Sequence, residues 1–289
     1  MLISLSSPGV IKQVSKRLKE DIDNYCVTTY DGGHRDHLGA SLIGSECKRK
    51  LWYTFRWCYR ETFDGRMQRL FNRGHREEER FLEWLRGIGC VVSDVTEDGK
   101  QHRISDVMGH FGGSLDGKGF LPKHYEIEEE ILFEFKTNGT GKGFNNLVSC
   151  GMILKKEQHY AQTCVYGFKR NLRYCGYLNI NKNDDSLHLE VVELNHNLGQ
   201  QMIAKAEQII LSPTEPPRLS DNPTYFGCKY CKMADGCHFG KLPEKNCRSC
   251  AKVHPVENAC WFCEQHNAII PKEYIPVACE QYYPICGNV

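Results

Sequence analysis

Residues 131–137, ILFEFKT, form an apolar run that carries a carboxylate, Glu134, two positions before an ammonium, Lys136. Strand alternation sends Ile131, Phe133 and Phe135 to one face and Leu132, Glu134 and Lys136 to the other, so acid and base share a face. Unlike charges are costly to bury unless they pair or coordinate a ligand. The run is therefore either a solvated edge strand or a core strand that carries chemistry.

The flanking segments supply a sheet and its covering helices. Helical patterns occupy residues 8–26, opened by Pro8 with Val10, Val14, Leu18 and Ile22 or Tyr25 on one side, then 46–57 and 66–87, the last ending at Gly87 and Gly89. Strand-like runs follow at 90–97, 102–110, 111–120 and 130–137, then helical patterns at 144–150 and 156–169. RYCGYLNI and SLHLEVVEL read as strands joined by the turn NKNDD, and a last helix spans 196–211. The linker SPTEPPRLSDNP, with four prolines, closes this region. The order predicts an α/β (α+β) core, a mixed central sheet flanked by helices. The expected division is an N-terminal helix at 1–30, a core at 31–240 and a Cys-rich tail at 241–289.

At 289 residues the chain can bury one sizeable core with a small appendage. No apolar run reaches the roughly 20 residues that span a bilayer, and the N-terminus lacks a long apolar leader, so a cytoplasmic protein without membrane partners is expected. The net charge of +1 says less than its distribution. Between Cys47 and Arg76 stand nine Lys or Arg against two acids, interleaved with Trp52, Tyr53, Phe55, Trp57, Tyr59, Phe63 and Phe71. Lys48, Arg49, Lys50 and Arg56 in such a stretch suit phosphate contacts and the aromatics suit base stacking. A basic helix with an aromatic core stripe would read the same way.

Sixteen cysteines are many for a reducing compartment, where grouped cysteines more often bind metal than pair. Seven are scattered through the first 175 residues and nine fall between 228 and 286. In the tail, CxxC, nine residues and CxxC place Cys247, Cys250, Cys260 and Cys263 at the spacing of a Zn²⁺ ribbon, and Cys279 is a fifth candidate for the four positions. Upstream, FGCKYCKMADGCHFG offers Cys228, Cys231 and Cys237, one thiolate short of a full set.

Before the opening strand lies GGSLDGKGF, where Asp116 sits among glycines that let backbone approach a ligand. An Asp before Gly is usually a turn residue. Asp116 followed by Glu134-x-Lys136, however, resembles the PD-(D/E)xK nuclease superfamily, with its restriction-endonuclease-like core. NRGHREEERFLEWL, carrying His75, and EQHYAQTCVYGF, carrying Gln162 and Tyr166 as QxxxY, narrow the resemblance to the RecB-like branch over roughly residues 40–240.

That resemblance implies a Mg²⁺- or Mn²⁺-dependent deoxyribonuclease. His75, Asp116, Glu134 and the Phe135 carbonyl would ligate the ion, and Lys136 would assist an attacking water. Gln162 and Tyr166, one helical turn apart, would line the strand path. Gln158 and His159 are left without roles. Iron-sulfur members, such as the CRISPR-associated adaptation nuclease and the AddAB nuclease domain, take their fourth cysteine from far upstream, which implies a 4Fe-4S cluster on Cys47, Cys228, Cys231 and Cys237, with zinc in the same ligands as the alternative. The tail is similar to phage-encoded members that would select Cys247, Cys250, Cys263 and Cys279.

The implied function is a DNA exonuclease of replication, recombination or repair, acting on single strands or duplex ends beside recombination or replication proteins, in the host cytoplasm if viral. A non-catalytic nucleic-acid-binding or assembly protein on a nuclease fold is the alternative.

Overall fold

The computed structural model describes residues 8–139 and 141–287. Its helices are α1 (Pro8–Tyr30), α2 (Lys48–Phe55), α3 (Gly65–Gly87), α4 (Lys142–Lys155), α5 (Glu157–Arg170), α6 (His196–Ile210), α7 (Phe226–Lys229) and α8 (Ala234–Phe239). Its strands begin with β1 (Leu38–Gly39), β2 (Val91–Ser93), β3 (Arg103–Asp106), β4 (Phe111–Ser114), β5 (Gly117–Phe120) and β6 (Ile131–Asn138). They continue with β7 (Tyr174–Asn181), β8 (Leu187–Glu193), β9 (Val253–Val256), β10 (Cys260–Cys263) and β11 (Ala268–Ile269). The chain divides into two compact units, one made of the chain up to Gly33 with Glu61–Arg80, the other of His34–Arg60 and the chain from Phe81 onward.

In the first unit α1 crosses the start of α3. No side chain fits at Gly65, because the Asp23 backbone lies where a Cβ would stand. Arg69 donates to the Asp23 carboxylate. The apolar side of α1 is only lightly used: Leu18, Ile22 and Tyr25 are each more than half exposed.

The second unit is built on a five-stranded sheet in the order β2-β5-β6-β7-β8. β6 is interior and parallel to β7, while the other pairs are antiparallel. Parallel neighbours need a long crossover, and α4 and α5 supply it. The ILFEFKT segment is therefore a central strand, and the edge-strand alternative falls.

Both faces of β6 are covered. Ile131, Phe133 and Phe135 join Phe81, Leu82, Leu85 and Leu178 in one cluster, with Phe81 stacked on Phe135 at 5.0 Å between centroids. Leu132 on the opposite face belongs to the larger core with Leu147, Val165 and Cys175.

The expected strand at 111–120 is two strands in two sheets. β4 pairs with β1 and β3 in a three-stranded sheet, β5 pairs with β2 and β6, and Leu115 and Asp116 bridge the gap. The expected strand at 102–110 ends at Asp106, whose carboxylate accepts the Val107 N–H at 2.8 Å while Val107 and Met108 turn with φ of 47° and 57°.

The residues from 241 cluster with the second unit. β9, β10 and β11 form an antiparallel meander whose buried Trp261 packs on Phe55 at 5.2 Å and on His110 at 5.3 Å. Arg248, 1% exposed, donates to the carbonyls of Asp36 at 3.1 Å, Arg35 at 3.3 Å and Phe55. Its guanidinium lies 4.4 Å from the Trp57 ring centroid and 4.5 Å from that of Trp261. The proline-rich linker is likewise pinned to α2, through Trp52 Nε1 donating to the Ser212 carbonyl at 3.0 Å and Arg49 Nε donating to that of Pro216 at 2.6 Å.

Arg56 is corrected by the structure. It is 1% exposed and donates to the Cys250 and Val253 carbonyls at 2.9 and 2.8 Å, so it ties α2 to the tail and cannot reach a nucleic-acid phosphate. Burial pulls its pKa down to about 10. Trp52, Tyr53, Phe55, Trp57 and Tyr59 are buried in the same core, so these five rings pack rather than stack on bases. No described helix is long and apolar enough to cross a membrane.

Candidate active site and cysteine cavities

Period-two alternation on β6 puts Glu134, Lys136 and Asn138 on one face. Asp116, freed from strand geometry at the switch between the sheets, turns its Oδ2 onto the Phe135 N–H at 2.8 Å. Lys136 Nζ donates to Glu134 Oε1 and to the Phe135 carbonyl at 3.2 Å, and lies 3.9 Å from Asp116 Oδ2. Glu134 is fully buried, whereas Lys136 and Asp116 remain 25% and 17% exposed at the side chain. Burial disfavours the charged amine, yet the Glu134 and Asp116 charges outweigh it and hold the Lys136 pKa above its ordinary value.

Three oxygens from two carboxylates and one carbonyl thus gather around one positive charge. The ammonium stands where a small hard cation would find its donors, and that oxygen set fits Mg²⁺ or Mn²⁺. Among the described residues no three His, Cys, Asp or Glu side chains are arranged to hold an ion as they stand. The third oxygen here is backbone.

α5 packs against β6 and β7. Its positions 159, 162 and 166 form one stripe. Gln162 Nε2 donates to the Tyr166 hydroxyl at 3.2 Å, and both residues are buried. A Cβ at Gly113 would collide with that hydroxyl, so the glycine of β4 is what admits Tyr166. Burial, then the Glu134 charge, raises the Tyr166 pKa and keeps the phenol protonated.

Sequence reasoning left His159 without a role and missed Tyr177 and Asn179. In register, Glu134 faces Tyr177 and Lys136 faces Asn179 across the parallel pair. The Tyr177 hydroxyl lies 2.8 Å from His159 Nδ1 and accepts from Asn179 Nδ2 at 3.1 Å. The available signal was the alternation of Tyr177, Asn179 and Asn181 in YCGYLNIN, a polar set at period two inside a buried strand.

Burial, then the charges of Lys136 and Lys156, lowers the His159 pKa to about 3. The unfolded chain takes up a proton near pH 6.5 that the folded chain refuses until about pH 3, so this contribution to stability is complete above pH 6.5 and is lost as pH falls toward 3. One such proton limits the slope to about 1.4 kcal/mol per pH unit. Denaturant unfolding across that window is expected to show a shallower acid slope in His159→Gln than in the parent.

His75 belongs to the first unit, on α3, with its side chain 78% exposed and Nδ1 3.2 Å from Glu78 Oε1. The three basic residues that open α2 have separate surroundings. Lys48 is exposed and donates to Gln208 Oε1 at 3.0 Å, while Arg49 sits between the Pro216 carbonyl and the Cys237 thiol, 3.9 Å from its sulfur. Lys50 lines the same cavity as Arg49.

That cavity, of about 300 Å³, is also lined by Cys47, Cys228, Cys231 and Cys237. Cys47 caps α2, its sulfur accepting the Lys50 N–H at 3.4 Å. A helix N-terminus and a guanidinium both favour thiolates. A second cavity of about 270 Å³ is lined by Cys247, Cys250, Cys263 and Cys279. Burial and the other three sulfurs raise the Cys247 pKa to about 11. Cys260 does not line this cavity; its thiol donates to the Asn258 carbonyl at 3.5 Å. Because Cys260 and Cys263 open and close strand β10, they point to opposite faces, about 10 Å of extended chain apart.

No family model matches the chain, and no curated protein matches it either. Among solved structures it is similar to an alkaline exonuclease (LHK-Exo) from Laribacter hongkongensis, at 14% identity and a TM-score of 0.42 over 66% of this chain and 90% of that one. The same enzyme in complex with dAMP matches at 13% identity and a TM-score of 0.42, again over 66% and 90%. SSO0001 matches at 13% identity and 0.42 over 75% and 94%. Likenesses this distant do not bear on the reading of the site.

Proposed function

We propose that the chain is a Mg²⁺- or Mn²⁺-dependent DNA nuclease that hydrolyses phosphodiester bonds, most simply as an exonuclease. The observation that carries the reading is the gathering of Asp116, Glu134 and the Phe135 carbonyl around Lys136 on a central strand, with Gln162 and Tyr166 on the helix above. Asp116, Glu134 and the Phe135 carbonyl would hold the ion, and His75 is added as a ligand on the resemblance alone. A bound divalent ion supplies polarisation of the phosphate and activation of water there.

The chain's own groups do the rest. Lys136, a compact point charge with three donors, leans on Glu134 and is placed to orient a water or meet a phosphate oxygen. The Phe135 N–H holds the Asp116 carboxylate in its orientation. Tyr166, kept protonated and braced by Gln162, would support the site from within the core. Lys48, Arg49 and Lys50 are the remaining candidates for phosphate contact. Incubation of end-labelled single- and double-stranded DNA with Mg²⁺ or Mn²⁺ tests this reading. Metal-dependent digestion is expected, and binding without digestion by intact, metal-loaded protein would instead make the chain a nucleic-acid-binding protein.

The cysteines extend the proposal. Cys47, Cys228, Cys231 and Cys237 would carry a 4Fe-4S cluster joining the two ends of the core, and Cys247, Cys250, Cys263 and Cys279 a structural Zn²⁺. Four thiols around each cavity are soft donor sets that suit these groups. Visible absorbance with iron and sulfide analysis checks the first. For the second, Cys279→Ser is expected to reduce bound zinc from about one equivalent to almost none, while Cys260→Ser keeps it.

A further inference from the structure

We propose that Lys156, Asn138 and His159 form a phosphate subsite on the same sheet face as Asp116, Glu134 and Lys136, holding a backbone phosphate one step along the strand from the bond to be cut. The ligand assignment rests on the nuclease reading; the site itself rests on a buried amide donor that has no acceptor among the described residues and on the ammonium beside it.

Asn138 follows Lys136 by two residues on β6, about 6.6 Å along the same face. Its Oδ1 accepts from Lys156 Nζ at 3.3 Å, yet its Nδ2 is buried with no hydrogen-bond partner among the described residues. A buried donor left unsatisfied is costly, and an incoming acceptor removes that cost. Lys156 is half-buried at the start of α5 with its ammonium on the Asn138 amide oxygen, and burial lowers its pKa. An anion beside it would favour the charged form.

His159 stands one turn further along α5 and feels the ammonium charges of both Lys136 and Lys156. Asn179 Nδ2 donates to the Tyr177 oxygen; with the phenolic proton donated to His159 Nδ1, the ring proton stands on Nε2. Ammonium, amide and imidazole thus present three N–H donors together, and the amide donor has no acceptor among the described residues. Their complement is an anion rich in acceptor oxygens, and on a polar face continuous with the carboxylates that anion is a phosphodiester.

The test is binding of a fluorescein-labelled oligothymidylate in EDTA, where no cleavage occurs, read by anisotropy over a series of salt concentrations. Loss of one phosphate contact on a single strand lowers the slope of log affinity against log salt by about 0.7. Lys156→Gln and Asn138→Asp are each expected to weaken binding several-fold, Lys156→Gln with that reduced slope, while Lys100→Gln leaves both quantities unchanged. Far-UV circular dichroism melts verify that the variants are folded.

Parental affinity and slope in folded Lys156→Gln would overturn the subsite even if the parent digests DNA through Glu134. Conversely, a Lys156-dependent slope in a protein that never digests DNA sustains the phosphate site and removes the nuclease reading.

Discussion

Glu134→Ala and Lys136→Ala are each expected to slow metal-dependent DNA digestion by at least about 10²–10³-fold, the scale of losing one preorganised electrostatic group from a phosphate or acyl transfer site. Glu134 is fully buried and contacts the Lys136 ammonium, so each change alters the other group's surroundings. Removing Glu134 also takes away one of the three oxygens around that charge and leaves the ammonium to the Phe135 carbonyl at 3.2 Å and Asp116 at 3.9 Å. Truncating one member of a buried pair strands the other and can unfold a protein. Glu134→Gln, which keeps shape and one hydrogen bond but not charge, separates the two effects. The measurement is the initial rate of end-labelled strand loss at saturating Mg²⁺, with melting temperature alongside. A folded Glu134→Gln protein that digests DNA at the parental rate would remove the basis of the site.

Arg248→Ala is expected to lower the free energy of unfolding by about 3–5 kcal/mol, among the largest effects of any single change in this chain. The side chain is 1% exposed and satisfies three backbone carbonyls, those of Arg35, Asp36 and Phe55. It is stacked among Phe55, Trp57 and Trp261. Burial draws its pKa well below the usual guanidinium value. Truncation leaves buried acceptors without a donor and a void between three rings, and both losses add. Because donor and acceptors lie on either side of the expected boundary at 240, parental unfolding is expected as one transition that includes the tail, at a midpoint denaturant concentration higher than in the variant. A tail that melts separately, with Arg248→Ala shifting only that transition, would contradict the shared core.

The alternation in ILFEFKT was enough to place Glu134 and Lys136 on one face and the two phenylalanines on the other, because side-chain direction in a strand is a local property. Helices α3, α5 and α6 were readable for the same reason, through their apolar period. Asp116 was visible as a candidate but not its position, since β4 and β5 form one apolar run whose division between two sheets depends on which strands arrive beside it. Cys260 shows the same limit. Its spacing to Cys263 suits a metal knuckle in a turn, and only pairing with β9 makes the segment extended and turns the two sulfurs apart.

By itself the amino-acid order determined which residues could share a face, where the helices run and which acid, amine and thiols were available for chemistry. Only the tertiary structure decided that Arg56 and Arg248 face inward while Lys48 stays exposed, because a guanidinium is buried when distant carbonyls happen to satisfy it, and those carbonyls lie far away in the chain. The same holds for the polar rows of β6 and β7. Asn179 comes beside Lys136, and Tyr177 beside Glu134 and His159, only through a parallel register that a crossover of two helices creates, and no local pattern encodes which strand lies alongside.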